Sequence, residues 1–288
     1  MDMRLLSLIA VAIVLIPGLL NAESRTISAN KIASPPVVDG DLKDWSTSGW
    51  ISLVLKPAVE NDKANLVGTV NVEMKTAIAG DRFYMAARWP DKDENAEYKS
   101  WIWKRTKYKR GKKLDDMFAV RFFMDGEYDA CMFTEKLFIS DVWIWSAGRS
   151  NPAGYAKDTR QVVTPKLVED AAEYELPSGK IIYIKKYDDS GNPIYENTKP
   201  KRKKFAGKKL PGIKVTENAS GSIADVRAKG VWKDGYWTLE LSRRMDTKNT
   251  DDVAFKEGES LKGAIAVYNK GNAEHKSVSE ELVFEFAK

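Results

Sequence analysis

Cysteine is nearly missing from this chain of 288 residues, with Cys131 standing alone. One thiol builds no intrachain disulfide, no zinc–thiolate cluster and no iron–sulfur cluster, and without a C-x-x-C-H segment a c-type haem has no covalent attachment point. Histidine is as scarce. His275 is the single one, so His-rich metal sites are excluded and a Ser-His-Asp triad would rest on that residue alone. The acids are scattered, and no hydrolytic constellation is visible. Sustained 3.6-residue periodicity is lacking, and long apolar runs are confined to the first two dozen residues. Neither sign of charge dominates: 46 Lys and Arg against 41 Asp and Glu leave a net charge of +5, too mild a field to point to nucleic acid.

Residues 4–22, RLLSLIAVAIVLIPGLLNA, combine one positive charge, an apolar run and a small-residue exit, the pattern of a cleaved secretory signal peptide. Pro17, Gly18 and the short apolar core argue against a retained membrane anchor. The expectation is a signal peptide over residues 1–22 and an exported, soluble chain over residues 23–288. That length suits a single domain with no membrane span after cleavage. Two basic runs, KRTKYKRGKK (104–113) and KPKRKKFAGKK (199–209), hold most of the local positive excess. They read as solvated loops or as a docking face for an acidic partner.

Short alternating segments separated by turn signals fill the remainder. VNVEMKTAI (70–78) and RFYMAARW (82–89) flank Ala79-Gly80-Asp81 as a hairpin, and MFAVRFFM (117–124) runs through Asp125-Gly126 into a further strand at YDACMF (128–133). GVWKDGYWTLEL (230–241) centres on Asp234-Gly235, the pair a type I′ turn needs at positive φ. Late strands follow at LKGAIAVYN (261–269) and VSEELVFEF (278–286). Strands at this spacing, with no βα alternation, predict an all-β antiparallel β-sandwich. Between residues 148 and 222 the pattern loosens into long polar loops around one strand, KIIYIKKY (180–187). Such loops in a compact domain are functional or disordered.

Nine tryptophans invite three roles: packing the core, stacking on sugar rings from an exposed face, or lining a pocket for a flat cofactor. DVWIWSAGRSNPAGY (141–155) is the most site-like stretch. Alternation puts Trp143 and Trp145 on one face of a strand that delivers the chain into a loop carrying Arg149.

VDGDLKDW (38–45), DVWIWSAGRSNPAGY and HKSVS (275–279), in this order, resemble the haem-binding gamma subunits of type II dimethyl-sulfoxide-reductase-like molybdoenzymes. This is the ethylbenzene dehydrogenase gamma-like family, with relatives in chlorate, selenate, dimethyl sulfide and nitrite or nitrate enzymes. The resemblance covers nearly all of residues 23–288. It implies one non-covalent haem b whose iron is held by a methionine and a lysine. Met132 is the implied methionine, with Met124 and Met117 as fallbacks, and Lys276 is the implied lysine. Trp143, Trp145 and Arg149 are implied as pocket neighbours, the arginine for a propionate. The implied role is periplasmic electron transfer with no catalysis in this chain. Electrons would pass between an iron–sulfur subunit, serving a molybdopterin catalytic subunit, and a soluble cytochrome c, with nitrite or nitrate the preferred partner chemistry. An exported, non-catalytic carbohydrate-binding module is the alternative, using the same sandwich without metal.

Strand geometry bears on the ligands independently. In one uninterrupted strand over 274–286, Lys276 shares a face with Val278, Leu282, Phe284 and Phe286, and His275 takes the other with Ser277 and Ser279. A lysine on an apolar face needs a partner or must lose its proton. Glu280 on that same face either pairs with it or marks a bulge that reverses the parity. In a strand after Asp125-Gly126, Met132 shares a face with Tyr128 and Ala130. Lysine binds iron only as the neutral amine, and the soft thioether of methionine favours ferrous iron.

Overall fold

Alternating apolar and polar residues, interrupted by turn-forming pairs, build two layers of strands. The computed structural model describes residues 24–176, 178–201, 203–271 and 276–288. The expected leader at 1–22 and His275 lie outside the described residues. Nineteen strands occur among them: β1 (Arg25–Lys31), β2 (Ile51–Pro57), β3 (Val70–Ala79), β4 (Arg82–Pro90), β5 (Trp101–Lys104), β6 (Lys107–Arg110), β7 (Met117–Gly126), β8 (Phe138–Ser146), β9 (Lys157–Thr164), β10 (Ala172–Glu175), β11 (Ile181–Asp188), β12 (Tyr195–Asn197), β13 (Lys209–Leu210), β14 (Ile213–Val215), β15 (Arg227–Lys233), β16 (Tyr236–Arg244), β17 (Ser260–Tyr268), β18 (Ser277–Val278) and β19 (Leu282–Phe286).

One layer runs β10-β11-β9-β8-β7-β17 and the other β2-β3-β4-β16-β15. The layers are stitched at their edges, where β18 lies between β17 and β2 and where β1 pairs in parallel with both β19 and β3. All other strand pairings among the described residues are antiparallel, so the fold is the expected all-β sandwich. Among the described residues no helix is long and apolar enough to cross a membrane.

The turn chemistry follows the sequence. Asp234 and Gly235 sit at φ 51 and 82 and join β15 to β16 with Lys233 opposite Tyr236, the geometry of a type I′ hairpin. Gly80, at φ 58, turns β3 into β4.

Between the layers lies an aromatic core. Phe83, Trp89, Phe118, Phe122, Trp143, Trp145 and Trp237 are each at most 1% exposed. Most of their rings meet edge-on or tilted, as in Phe122 against Trp143 at 5.0 Å between centroids and Trp145 against Trp237 at 5.0 Å, while Trp89 stacks on Phe118 and Trp237. Such pairs contribute about 0.5–1.5 kcal/mol each beyond the area they bury.

Three expectations need correction. YDACMF is not a strand: the chain leaves β7 at Gly126 and does not pair again until Phe138, so 127–137 is a loop. The segment 148–222 holds β9 to β14 rather than one strand, and β9 lies between β8 and β11 inside a layer. Its sequence, KDTRQVVT, hides this because Asp158 and Gln161 are buried polar residues. The final strand is broken at 279–281, between β18 and β19.

Candidate functional site

The layer built on β7, β8 and β17 has a second apolar face, turned away from the inter-layer core. Strand alternation assigns it: Phe118, Val120 and Phe122 enter the core, whereas Ala119 and Arg121 point outward. A row of small or flat residues crosses the outer face in register. Ile144 stands opposite Ala119, Ala119 opposite Ala266, and Ala266 opposite Val278. Two adjacent alanines in that row leave a shallow floor that larger side chains would fill.

The 127–137 loop folds back over this floor. Arg121, 7% exposed, donates from Nη2 to the carbonyls of Asp129 at 2.9 Å and Ala130 at 2.5 Å. Its guanidinium lies 5.1 Å from the Phe138 ring centre and 5.5 Å from that of Tyr128. The loop continues through Cys131, Met132 and Phe133, all of which face the floor and enclose a slot of about 50 Å³.

Lys276 closes the other side of the slot and is 3% exposed. Its Nζ lies 5.1 Å from the ring centre of Tyr268. The backbone around it is held firmly. Its carbonyl accepts from Ala58 N at 2.8 Å, Ser277 Oγ donates to the Gly68 carbonyl, and Ser279 Oγ accepts from Ile265 N at 3.0 Å. The serines of HKSVS therefore fix the strand segment that carries the lysine.

The break after Val278 changes what the lysine faces. Lys276 and Val278 line the outer slot, while Leu282, Phe284 and Phe286 enter the inter-layer core. Glu280 leaves the apolar face altogether and lies 3.8 Å from Lys56 at the surface. The parity reversal is real, and Lys276 is buried on the face opposite to that of the final phenylalanines.

Met132 and Lys276 thus come together, although the sequence separates them widely. The other three expected pocket neighbours lie elsewhere. Trp143 and Trp145 occupy the inter-layer core on the far side of β8, because odd positions of that strand point inward. Trp145 Nε1 donates to Asn151 Oδ1 at 3.1 Å. Arg149 pairs with Asp115 at 3.1 Å, donates to Met117 Sδ at 2.8 Å and lies over the Tyr98 ring at 4.4 Å. Met117 is engaged there, and Met124 lines a separate surface groove beside Val253 and Leu261. In place of Arg149, the slot holds Arg121 and Lys186. The Arg121 side chain also hydrogen-bonds that of Tyr128. Sequence alternation could have found this arginine, since it alternates with Val120 and Phe122 in a strand otherwise apolar.

The VDGDLKDW stretch has a structural task. Asp39 N and Gly40 N donate to Glu240 Oε2 at 3.0 and 2.7 Å, and Trp45 Nε1 donates to Glu240 Oε1 at 2.7 Å. The loop is thereby clamped to β16. Burial raises Glu240, and these donors oppose the rise. The inter-layer tryptophans, at 1% exposure or less, cannot stack on a sugar ring.

A second buried polar cluster sits beside Trp143. Asp141, Asp158 and Asp252 bring carboxylate oxygens within 4.8 Å of one another. Arg243 places Nη1 among them at 2.7, 3.1 and 3.6 Å, with its guanidinium 4.8 Å from the Trp143 ring centre. The guanidinium is the cation of this cluster. Burial, then the Asp141 charge, raises Asp158 well above the usual carboxylate range, with Arg243 pulling the other way.

No curated protein matches the chain. Among solved structures, a carbohydrate binding module family 9 from Caldicellulosiruptor kristjanssonii in complex with glucose aligns at 9% identity and a TM-score of 0.38, covering 92% of this chain and 97% of that one. The same organism's module in complex with cellotriose aligns at 10% identity and a TM-score of 0.37, covering 92% and 95%. Likeness at this level bears on none of the site residues. Residues 43–279 match the sequence profile of the family described as Ethylbenzene dehydrogenase, and the chain belongs to that family.

Proposed function

We propose that this chain is a periplasmic electron-transfer subunit that binds one b-type haem in the slot between the 127–137 loop and the outer face of β7, β8 and β17. Membership of the ethylbenzene dehydrogenase family supports a subunit that serves electron transfer in molybdoenzymes. The observation that carries the haem reading is the convergence of Met132 and Lys276 on one apolar slot. A soft thioether and an amine are both competent iron donors. The buried guanidinium of Arg121 beside the slot would offer a charged donor to a haem carboxylate. The donor set therefore fits the group.

Bound there, haem supplies a one-electron redox couple. The residues of this chain do the rest. Met132 and Lys276 would hold the iron, which would leave it no open position for substrate. Ala119 and Ala266 leave the floor clear, and the apolar wall excludes water. Room must still be made. About 50 Å³ holds a few waters, whereas sites for molecules of this size span roughly 300–1,000 Å³, so the 127–137 loop has to lift away from the sheet on loading. Electrons would pass between the iron–sulfur subunit of a molybdenum oxidoreductase and a soluble cytochrome, with the molybdenum and the clusters carried by partners.

Haemin titration tests this reading. The full chain should take up one equivalent with a sharp Soret band, and Met132→Ala should lower the midpoint potential or release the haem. No Soret band after haemin addition would remove the haem reading, and an unchanged potential in Met132→Ala would remove that methionine.

A further inference from the structure

The two basic runs, 104–113 and 199–209, contain seven Lys or Arg residues each and no acid. In the fold they meet, the first as a hairpin and the second as an irregular segment that ends in a short strand. β5 and β6 form a hairpin, and β13 pairs with β5, setting Lys209 opposite Ile102 and Leu210 opposite Trp101. Trp103 N donates to the Lys208 carbonyl at 2.9 Å. Tyr108 Oη donates to the Gly207 carbonyl at 2.7 Å and accepts from Ala206 N at 2.9 Å. Trp103 packs between Tyr108 and Phe205, at 4.9 and 5.2 Å between ring centroids, and Phe205 is 57% exposed. Both runs belong to one three-stranded arm with an aromatic centre.

This arm grips a carboxylate within the chain itself. Lys113 from one run and Lys209 from the other place Nζ 3.0 and 2.8 Å from the same oxygen of Glu97. Burial would raise Glu97, but the two lysines outweigh it and hold it down at about 2. Lys104, Arg105, Lys107, Lys109 and Lys112 are exposed and form no ion pair among the described residues. Like charges crowded without counter-charge repel one another, and a facing anionic surface relieves that repulsion.

The base of the arm is tied to the slot's end of the sandwich. Asp116, which precedes β7, accepts from Asn95 N at 2.8 Å and from Lys270 N at 3.0 Å. The segment that links β6 to β7 thereby meets the turn after β17, and Tyr268, the last residue of β17, carries Lys276 above its ring.

We propose that this arm is the docking surface for an acidic face of a partner protein, which it brings to the Lys276 end of the slot. The partner's redox character rests on the function proposed above; the docking does not. Carboxylate clusters are the matching chemistry, because two lysines of the arm already converge on one carboxylate, and Phe205 offers an apolar contact at its centre.

Zero-length carbodiimide cross-linking of the native complex, isolated through the full chain, reads this directly, since it joins lysine amines to carboxylates. The expected result is a set of links from Lys104, Lys107, Lys109, Lys203 or Lys204 to Asp and Glu of a second polypeptide, abolished by 0.5 M NaCl, as screening over roughly 3–10 Å requires. Reversing Lys104, Lys107 and Lys109 to Glu should cut the yield by about tenfold or more, with the thermal melt unchanged. Reversing Lys63, Lys166 and Lys256 should leave it within about twofold. Links confined to this chain, equal yields from the two triple variants, or lysine protection that vanishes with nuclease or detergent would overturn the proposal. Links found in a chain that shows no Soret band would leave the docking in place and remove the redox partner.

Discussion

Arg243 decides the charge balance inside the sandwich. It is wholly buried among Asp141, Asp158 and Asp252, and removing it leaves three carboxylates without a cation. Arg243→Met should destabilise the fold by about 3–5 kcal/mol at pH 7 in urea melts. Two neighbours set a pH dependence of their own. Burial, then repulsion from Asp251, raises Asp189 to about 7. Burial raises Asp225 to about 8, with Arg243 opposing and Asp252 adding to the rise. A carboxyl whose folded pKa exceeds its unfolded value binds its proton more tightly when folded. Its contribution is therefore complete below about pH 4 and is lost as pH rises through the folded values. Stability should fall between about pH 4 and 8, and Asp225→Asn should flatten the upper part of that slope in melts taken at unit pH intervals. An unchanged slope would show that Asp225 titrates normally. The sequence showed only part of this scale. Lys276 was singled out by the HKSVS segment, but the alternation that grouped it with Leu282, Phe284 and Phe286 fails at the 279–281 break. Arg149 was misplaced because the strand before it points its tryptophans inward, and Arg121 was overlooked inside an apolar run. Nothing local announces that Arg243 gathers acids from β8, β9 and the 246–254 turn.

At the scale of elements, the 127–137 loop controls the slot. It is held by the Arg121 hydrogen bonds to two carbonyls, a Glu135–Lys180 pair at 2.5 Å and the packing of Tyr128, Met132 and Phe133 against Phe138, Leu176 and Tyr174. Limited proteolysis of the haem-free chain should cut first within 127–137, and haemin should slow that cleavage by about tenfold. Equal cleavage with and without haemin would mean that the loop does not cover the bound group. Hairpins were the most legible elements, since Gly80 and Asp234-Gly235 declare their turns. The loop itself was read as a strand because its residues alternate acceptably up to Phe133, although it has no partner strand. β9 was hidden by buried polar residues that pair only in the folded chain. The split between β18 and β19 was foreshadowed by Glu280, whose charge could not stay on an apolar face.

The whole molecule separates two apolar surfaces. One, between the layers, is filled with aromatic rings and leaves no room for a ligand; the other, outside β7, β8 and β17, is floored with alanine and covered by a loop. The fold class was legible from the strand spacing and the absence of helical periodicity, because a sandwich repeats its pattern locally. The site was legible only as two residues far apart in sequence, since nothing short of the fold puts Met132 and Lys276 on one floor while sending Trp143 and Trp145 to the opposite side of the same strand. This separation also keeps the proposed haem near the surface, at the end where the basic arm is rooted, as an electron relay requires. The most direct measurement is the low-temperature electron paramagnetic resonance spectrum of the haem-loaded protein and its Lys276→Ala and His275→Ala variants. The account predicts a low-spin ferric signal that Lys276→Ala abolishes and His275→Ala preserves. Loss of the signal in His275→Ala alone would contradict it.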